Sequence, residues 1–263
     1  MTSNGHFTTQ MKFFAVLLAT AVFLFYSAQA QFIGGPVTIV STFSELSKIT
    51  VTDPDPIVSV QVTLLGLSHG RSGDLHLVLT HTTTNNINVD VDLFSRPGVT
   101  GQNQFGAVST TSGNYGFADS ANNTFSAAAV AAGSGMVPNG IYHPCATDLN
   151  GNYPLTYFSN YVGAAAGTWT LNVSDGGPGI DGSLDGWELD IVTIPRLSIY
   201  SVDANTAVVA WRWPSTGFIL QSNSDLGTTN WTTVTNAVNL VNGTNQVTIS
   251  PLITSQFFRM AYQ

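Results

Sequence analysis

The chain has 263 residues, of which only 8% are charged, and its formal net charge is −8 at pH 7. Nucleic acids and anionic membrane surfaces bind clusters of Lys and Arg, so a balance of 7 basic against 15 acidic residues argues against both as partners. The length allows one large or two modest domains, each with enough buried surface for a stable core.

The first 30 residues predict an export signal. Lys12 precedes the apolar run 13–26, and Ala28-Gln29-Ala30 places small residues at the two positions that signal peptidase reads. A membrane anchor is the alternative, but the run has 14 residues, whereas a membrane-spanning helix needs about 20. We therefore expect cleavage before Gln31, a secreted or cell-surface protein, and no membrane association after cleavage.

Alternation of apolar and polar residues predicts the strands of an all-β domain. Apolar residues fall at every second position in five runs, namely 58–64, 75–79, 89–93, 169–173 and 189–191. Because successive side chains of a strand point to opposite faces, each run offers one face to a core. We predict a β-sandwich domain over residues 31–194, with eight or nine strands from about residue 37 to residue 193.

Residues 95–165 are rich in Gly, Asn, Ser and Ala and lack a helical period, so they predict long loops with short strands. The run 127–132 resembles the start of a helix. Its length of six residues and the flanking Gly133 and Gly135 favour a loop or a strand end instead. Cys145 is the single cysteine; it excludes an internal disulfide, and we interpret it as a small buried apolar residue.

Pro195 closes the first predicted domain, and residues 195–263 predict a second, smaller β-sandwich module. Val209, Trp211 and Trp213 alternate with the residues between them, as in a strand. The segments G-F-x-L-Q-S at 217–222, N-W at 230–231 and F-F-R at 257–259 resemble C-terminal modules of secreted bacterial proteins. That resemblance implies no particular chemistry.

A second resemblance covers the larger domain. Residues 167–191 read G-T-W-x-L-x-V-x-D and then D-G-x-L-x-x-W-x-L. Four earlier segments occur in the same family order: G-D-L at 73–75, F-x-D-x-A at 117–121, G-x-Y-x-P at 140–144 and P-L at 154–155. Together, over roughly residues 43–193, they resemble the P domain, or P/Homo B domain, of proprotein convertases and secreted bacterial subtilisin-like proteases. The resemblance implies a jelly-roll sandwich that accompanies a serine protease.

Catalytic residues of a protease are not evident in the sequence. Subtilisin-like enzymes place Asp, His and Ser in three glycine-flanked motifs, and none of these motifs is present. The best accidental set is Ser134, His143 and Asp148, but no strand-turn-helix is predicted at the serine. Whether the protein is an enzyme stays open, and we predict no catalytic residues.

The remaining histidines and tyrosines favour structural interpretations. His69 matches a histidine that the family often carries before its G-D-L turn, where the resemblance implies a structural role. His76 and His81 fall on opposite faces of one predicted strand, so a shared zinc ion needs a third ligand, and we interpret both as surface residues. Four tyrosines are interpreted as exposed aromatic residues that cover a sandwich edge: Tyr115, Tyr153, Tyr157 and Tyr161.

Carboxylates suggest a calcium site. Asp175, Asp181 and Asp185 lie within one glycine-rich loop of 11 residues. Oxygen ligands on a flexible backbone suit calcium, although the spacing is not that of an EF-hand loop. The alternative is that aspartate simply favours turns, and both interpretations stay open. We predict a calcium-associated protein with these three aspartates as metal ligands.

Two functions are consistent with these features. The preferred one is a secreted, non-catalytic P/Homo B domain protein that binds, docks to or stabilises another protein, such as a secreted protease encoded elsewhere. The alternative is a component or truncated relative of a subtilisin-like serine endopeptidase of the proprotein convertase type, which contributes to proteolysis. The missing catalytic motifs favour the first function.

Overall fold

The computed structural model describes residues 30–100, 105–146, 156–252 and 255–263, so the predicted export segment lies outside the described residues apart from Ala30. The described chain is nearly all β, which confirms the all-β sandwich prediction. The strands up to residue 193 are β1 (Ala30–Gly34), β2 (Val37–Ile39), β3 (Ser44–Val51), β4 (Ile57–His69), β5 (Leu75–Thr83), β6 (Asn88–Ser95), β7 (Thr111–Ala118), β8 (Gly140–Tyr142), β9 (Gly167–Asp175), β10 (Gly182–Leu184) and β11 (Gly186–Thr193). Among the residues described, no helix has the length and apolar character needed to cross a membrane.

Two sheets enclose the core of this first part. One sheet has the order β3, β9, β5 and β6, and all its neighbours are antiparallel. The second sheet has β4 at its centre. On one side of β4 lie β10 and β11, with β2 and β1 outside them; on the other side lies β7, which pairs with β8 in parallel.

Two tryptophans fill the centre of the core. Trp169 on β9 and Trp187 on β11 come from different sheets, and both are fully buried. The indole N–H of Trp169 donates to the carbonyl of Ala165 at 3.1 Å, and that of Trp187 donates to Oγ of Ser47 at 3.0 Å. Each ring therefore contributes a large apolar surface while its one polar atom is satisfied.

The prediction of a loop or strand end at residues 127–132 is wrong. The structure has an α-helix, α1, at Phe125–Ala131. The hydroxyl of Thr124 accepts a hydrogen bond from the backbone N–H of Ala127 at 3.2 Å, which satisfies one of the unpaired donors at the start of the helix. Phe125 and Ala129 are buried one turn apart, so packing stabilises a helix too short to form alone.

Two of the tyrosines predicted to be exposed are buried. The hydroxyl of Tyr115 donates to the carbonyl of Val137 at 3.0 Å, and that of Tyr161 donates to the carbonyl of Leu79. Such internal acceptors, which the sequence does not reveal, allow a tyrosine to lie inside. Tyr157 is exposed, and Tyr153 lies outside the described residues.

The surface interpretation of His81 is also wrong. Its side chain is 1% exposed and stacks on the ring of Trp169, with 4.1 Å between the ring centroids. Burial lowers the pKa of His81, and its Nε2 lies 3.3 Å from the carbonyl oxygen of Ala166. His76 lies on the other face of the same strand, and its side chain is 38% exposed.

Residues 196–263 form two further sheets around a separate core. Their strands are β12 (Ser198–Asp203), β13 (Thr206–Arg212), β14 (Phe218–Asn223), β15 (Thr232–Thr233), β16 (Val238–Val241), β17 (Thr244–Ile249) and β18 (Phe257–Tyr262). One sheet has the order β12, β13, β17 and β16, and the other has the order β15, β14 and β18. The buried apolar residues between them are Val209, Trp211, Leu220, Val247 and Ile249.

Two ion pairs join the first sandwich to these sheets. Nη1 of Arg212 lies 3.4 Å from Oδ1 of Asp53, and Nε of Arg196 lies 3.9 Å from Oδ1 of Asp55. Both arginine side chains are more than half exposed. Each pair therefore contributes at most about 1 kcal/mol, and less in high salt.

Candidate functional site

Two of the segments that carry the resemblance, the G-D-L turn at 73–75 and the loop that follows β9, meet at one end of the first sandwich, where the backbone N–H of Gly176 donates to the carbonyl of Asp74 at 2.8 Å. β9 ends at Asp175 in one sheet and β10 begins at Gly182 in the other, so the loop 176–181 crosses between the two sheets. β4 ends at His69 close to this loop. A short 3₁₀ turn, Ser72–Asp74, then leads into β5.

His69 and Asp175 connect the two sheets. Nε2 of His69 lies 3.3 Å from Oδ2 of Asp175 and 3.1 Å from the carbonyl oxygen of Ile180. Both of these partners accept hydrogen bonds, so Nε2 carries a proton. Nδ1 lies 2.8 Å from the carbonyl oxygen of Arg71 and 3.1 Å from its backbone nitrogen, so both ring nitrogens have partners inside the fold. Neither the His69 nor the Asp175 side chain has solvent-exposed surface, and together they form an internal crosslink.

Asp74 lies against the same loop and is 3% exposed. Burial raises the pKa of its carboxyl; the Arg71 guanidinium opposes this rise, and the Asp175 carboxylate adds to it. The backbone N–H of Gly177 donates to Oδ1 of Asp175 at 2.8 Å. A Cβ on Gly177 would lie 2.1 Å from Cγ of Asp74, so only glycine fits between these two acids.

The three predicted calcium ligands have separate partners. Both oxygens of Asp175 have partners inside the fold. Asp181 is exposed, and its Oδ1 accepts hydrogen bonds from the backbone N–H and the hydroxyl of Ser41, both at 3.0 Å; these bonds lower the pKa of Asp181. Asp185 is exposed and its carboxylate covers Gly66, where a Cβ would lie 2.1 Å from Oδ2.

This arrangement does not fit a calcium ion as it stands. Within the described ranges, no three His, Cys, Asp or Glu side chains are grouped so that they could hold a metal. Each oxygen of Asp175 already has one partner inside the fold, and the Asp175 side chain has no solvent-exposed surface. Calcium binding by Asp175, Asp181 and Asp185 stays a prediction, and a test is given in the Discussion.

The serine set considered from the sequence is not brought together among the described residues. Ser134 is exposed in the turn after α1, and no hydrogen bond joins it to His143 in the described part of the chain. Nδ1 of His143 donates to the carbonyl of Pro144 at 2.7 Å. Asp148 lies outside the described residues.

A polar row on the outer face of the four-stranded sheet was missed from the sequence. Nε2 of His76 lies 2.6 Å from Oδ1 of Asp92, and His76 stands directly opposite Ser174 on β9. The hydroxyl of Ser174 lies 2.6 Å from that of Ser44 and donates to Oδ1 of Asn172 at 3.2 Å. These are the residue types of a hydrolytic triad. However, no hydrogen bond between His76 and Ser174 is present in the described structure.

Asp119 of the F-x-D-x-A segment has a structural partner. Its two carboxylate oxygens accept hydrogen bonds from the backbone N–H groups of Phe158 and Ser159, at 2.7 and 2.9 Å. These residues begin the 3₁₀ turn Phe158–Asn160, whose first N–H groups have no partner in the turn itself. Asp119 therefore fixes the segment that precedes β9.

The fold and the cluster at the sheet ends define an all-β sandwich protein in which the His69 and Asp175 side chains are buried between the two sheets. No protein-family model and no curated protein matches the chain. Among solved structures, a beta-1,2-glucanase from Parabacteroides distasonis is similar over 87% of this chain and 30% of that chain, with 10% sequence identity and a TM-score of 0.24. This chain thus spans less than a third of that protein, and a likeness at this TM-score carries no argument about activity.

Proposed function

We propose that this protein is an exported, non-catalytic β-sandwich protein, similar to the P/Homo B domain, which docks to and stabilises another protein such as a secreted protease. The supporting observation is that polar side chains of the resemblance motifs form hydrogen bonds within the fold. His69, Asp119 and Asp175 each bond to groups inside the fold. Side chains engaged in this way stabilise the sandwich and are not presented to a substrate.

One lateral edge of the sandwich offers a surface for the partner. β1 and β3 are the edge strands of their sheets and lie next to each other. Ile33 on β1, Phe43 just before β3 and Leu46 on β3 are 72%, 62% and 55% exposed. Large apolar side chains exposed along a sheet edge favour contact with another protein. We assign the docking contact to this edge.

The test uses the chain from Gln31, immobilised and exposed to the secreted proteins of the organism that encodes it. We expect a secreted protease to be retained and, once purified, to bind the chain directly. A Phe43→Ser/Leu46→Ser variant should lose this binding, and a Val162→Ser variant should keep it, because Val162 is equally exposed but lies outside the edge. Unchanged retention by the double variant would contradict the proposal.

The endopeptidase alternative makes a different prediction. If the chain itself contributes to proteolysis, the candidate catalytic residues among those described are Asp92, His76 and Ser174. Incubation of the purified chain with casein is expected to give no cleavage, because the hydroxyl of Ser174 bonds to Ser44 and Asn172 and not to His76 within the described residues. Cleavage that is lost in Ser174→Ala would establish the alternative and exclude the non-catalytic role.

Export is part of the proposal. Cleavage before Gln31 leaves residues 31–34 of β1 paired with residues 187–190 of β11, so the edge strand is retained in the exported chain. N-terminal sequencing of the protein from the culture medium should therefore begin at Gln31. An exported product that retains Met1 would show that the segment is not removed.

A further inference from the structure

A groove of about 360 Å³ lies at one end of the three-stranded sheet formed by β15, β14 and β18. This volume is within the range of roughly 300–1,000 Å³ that is typical of small-ligand sites. All eight residues that line it carry a hydroxyl, an amide or a carboxyl group. A groove lined by polar residues suits a ligand that is itself covered with hydrogen-bonding groups.

The charge of the groove narrows the class of ligand. Asp225 is the one charged residue in the lining, and the lining contains no Lys, Arg or His. Phosphates and carboxylates would face this carboxylate without a compensating cation, so anionic ligands are disfavoured. The amides and hydroxyls both donate and accept hydrogen bonds, as neutral hydroxylated ligands require.

The base of the groove is fixed in advance by Asn223, which is 6% exposed. Its Nδ2 donates to the carbonyl of Thr228 at 3.2 Å, and its Oδ1 accepts from the backbone N–H of Asp225 at 3.0 Å. These bonds close the turn that follows β14. A turn that is already ordered adds little entropic cost to ligand binding.

The rim, in contrast, has unused hydrogen-bonding capacity. Ser224, Asn230 and Gln256 are exposed, and their side chains form no hydrogen bond within the described part of the chain. Phe257 follows Gln256, stands opposite Asn223 in the sheet and is 37% exposed. Sugars combine hydroxyl groups with apolar C–H faces, and an aromatic ring beside polar amides complements both features.

We propose that this groove binds a neutral carbohydrate, with Asn230 and Gln256 bonding to sugar hydroxyls and Phe257 against an apolar face of the sugar. The site lies within residues 222–257, whereas the docking edge lies within residues 33–46. A failure of carbohydrate binding would therefore leave the docking proposal untouched.

The experiment is native affinity electrophoresis of the chain from Gln31 in gels that contain xylan, mixed-linkage β-glucan or galactomannan, with polygalacturonate as an acidic comparison. We expect at least one neutral polymer to retard the wild type. Asn230→Ala/Gln256→Ala should raise the Kd for that polymer by about tenfold or more, because both amides lose their bonds to the ligand. These rim residues make no internal bonds, so the variant should melt like the wild type.

Asn239→Ala is the matched control, since Asn239 is an exposed asparagine on β16 in the other sheet of the same module. This variant should bind like the wild type. The proposal is overturned if none of the three neutral polymers retards the protein, if the double variant still binds, or if polygalacturonate alone is bound.

Discussion

Gly177 occupies a position where no side chain fits. A Cβ there would lie 2.1 Å from Cγ of the buried Asp74. We expect Gly177→Ala to lower the free energy of unfolding by about 1–3 kcal/mol, because atoms forced into a packed interior displace their neighbours. Gly35→Ala is the matched control, since nothing lies within 4 Å of a Cβ at that position. Urea unfolding followed by tryptophan fluorescence measures both variants, and equal loss of stability in the two would refute the explanation.

The calcium prediction is tested at Asp181, which is exposed and whose bonds to Ser41 are both made by Oδ1. If the native state alone binds calcium, its stability rises by about 2.7 kcal/mol at a hundredfold excess of the ion over Kd. The melting temperature of the wild type should then be higher in calcium than in chelator, and Asp181→Asn should reduce the difference. Identical midpoints in all four samples would leave Asp175, Asp181 and Asp185 as turn and crosslinking residues.

Residue types alone could not assign these roles. The sequence identified Asp175, Asp181 and Asp185 as a set because they are close along the chain. In the structure Asp175 instead pairs with His69, which is 106 residues away and reaches it from the other sheet. Asp74 was noted only as part of a G-D-L segment, and its position beside Gly177 depends on the loop crossing between sheets.

At the scale of elements, the alternation of apolar and polar residues predicted strands correctly, but no pattern in the sequence predicted the helix α1. The runs around residues 58–64, 75–79 and 169–173 all lie in strands, because a half-buried strand leaves a clear period of two. α1 is seven residues long and leaves no such signal. Its buried side chains, Phe125 and Ala129, cover less than two turns, so a period of 3.6 cannot be recognised.

The N-cap of α1 provides a test of how this helix is held. We expect Thr124→Ala to lower the free energy of unfolding by about 1 kcal/mol, because the N–H of Ala127 loses its acceptor. Ser134→Ala is a suitable control, since Ser134 is exposed in the following turn and its side chain has no hydrogen bond in the described structure. Thermal melting followed by circular dichroism measures the difference. Equal melting of the two variants would show that packing of Phe125 alone holds the helix.

Strand register explains why the outer polar row was not predicted. The sequence placed His76 on one strand face correctly, but it could not place Ser174 opposite it, since that pairing joins strands 98 positions apart. Asp92 reaches His76 from β6, where the register shifts between Leu77 and Val78. Cross-strand neighbours therefore require the sheet order, which alternation does not provide.

For the molecule as a whole, pH acts on stability through groups that are buried in the sandwich. Burial lowers the pKa of His81 from its usual 6.5, so the unfolded chain binds the proton more readily. Burial raises the pKa of Asp74 and of Asp190 above 3.8, so the folded chain binds those protons more readily. The two effects on the pH dependence of stability have opposite signs.

We therefore expect the contribution of His81 to the free energy of unfolding to be greatest above about pH 6.5. This contribution should fall as the pH drops through 6.5 towards the lowered pKa that His81 has in the folded chain. Protonation of Asp74 and Asp190 opposes this loss as the pH falls through their raised pKa towards their usual 3.8. Urea unfolding at pH 7.5, 6.5 and 5.5 measures the dependence. His81→Gln should remove most of it, because the variant has no proton to bind at this position. A slope that is unchanged in His81→Gln would assign the acid sensitivity to a group other than the imidazole stacked on Trp169.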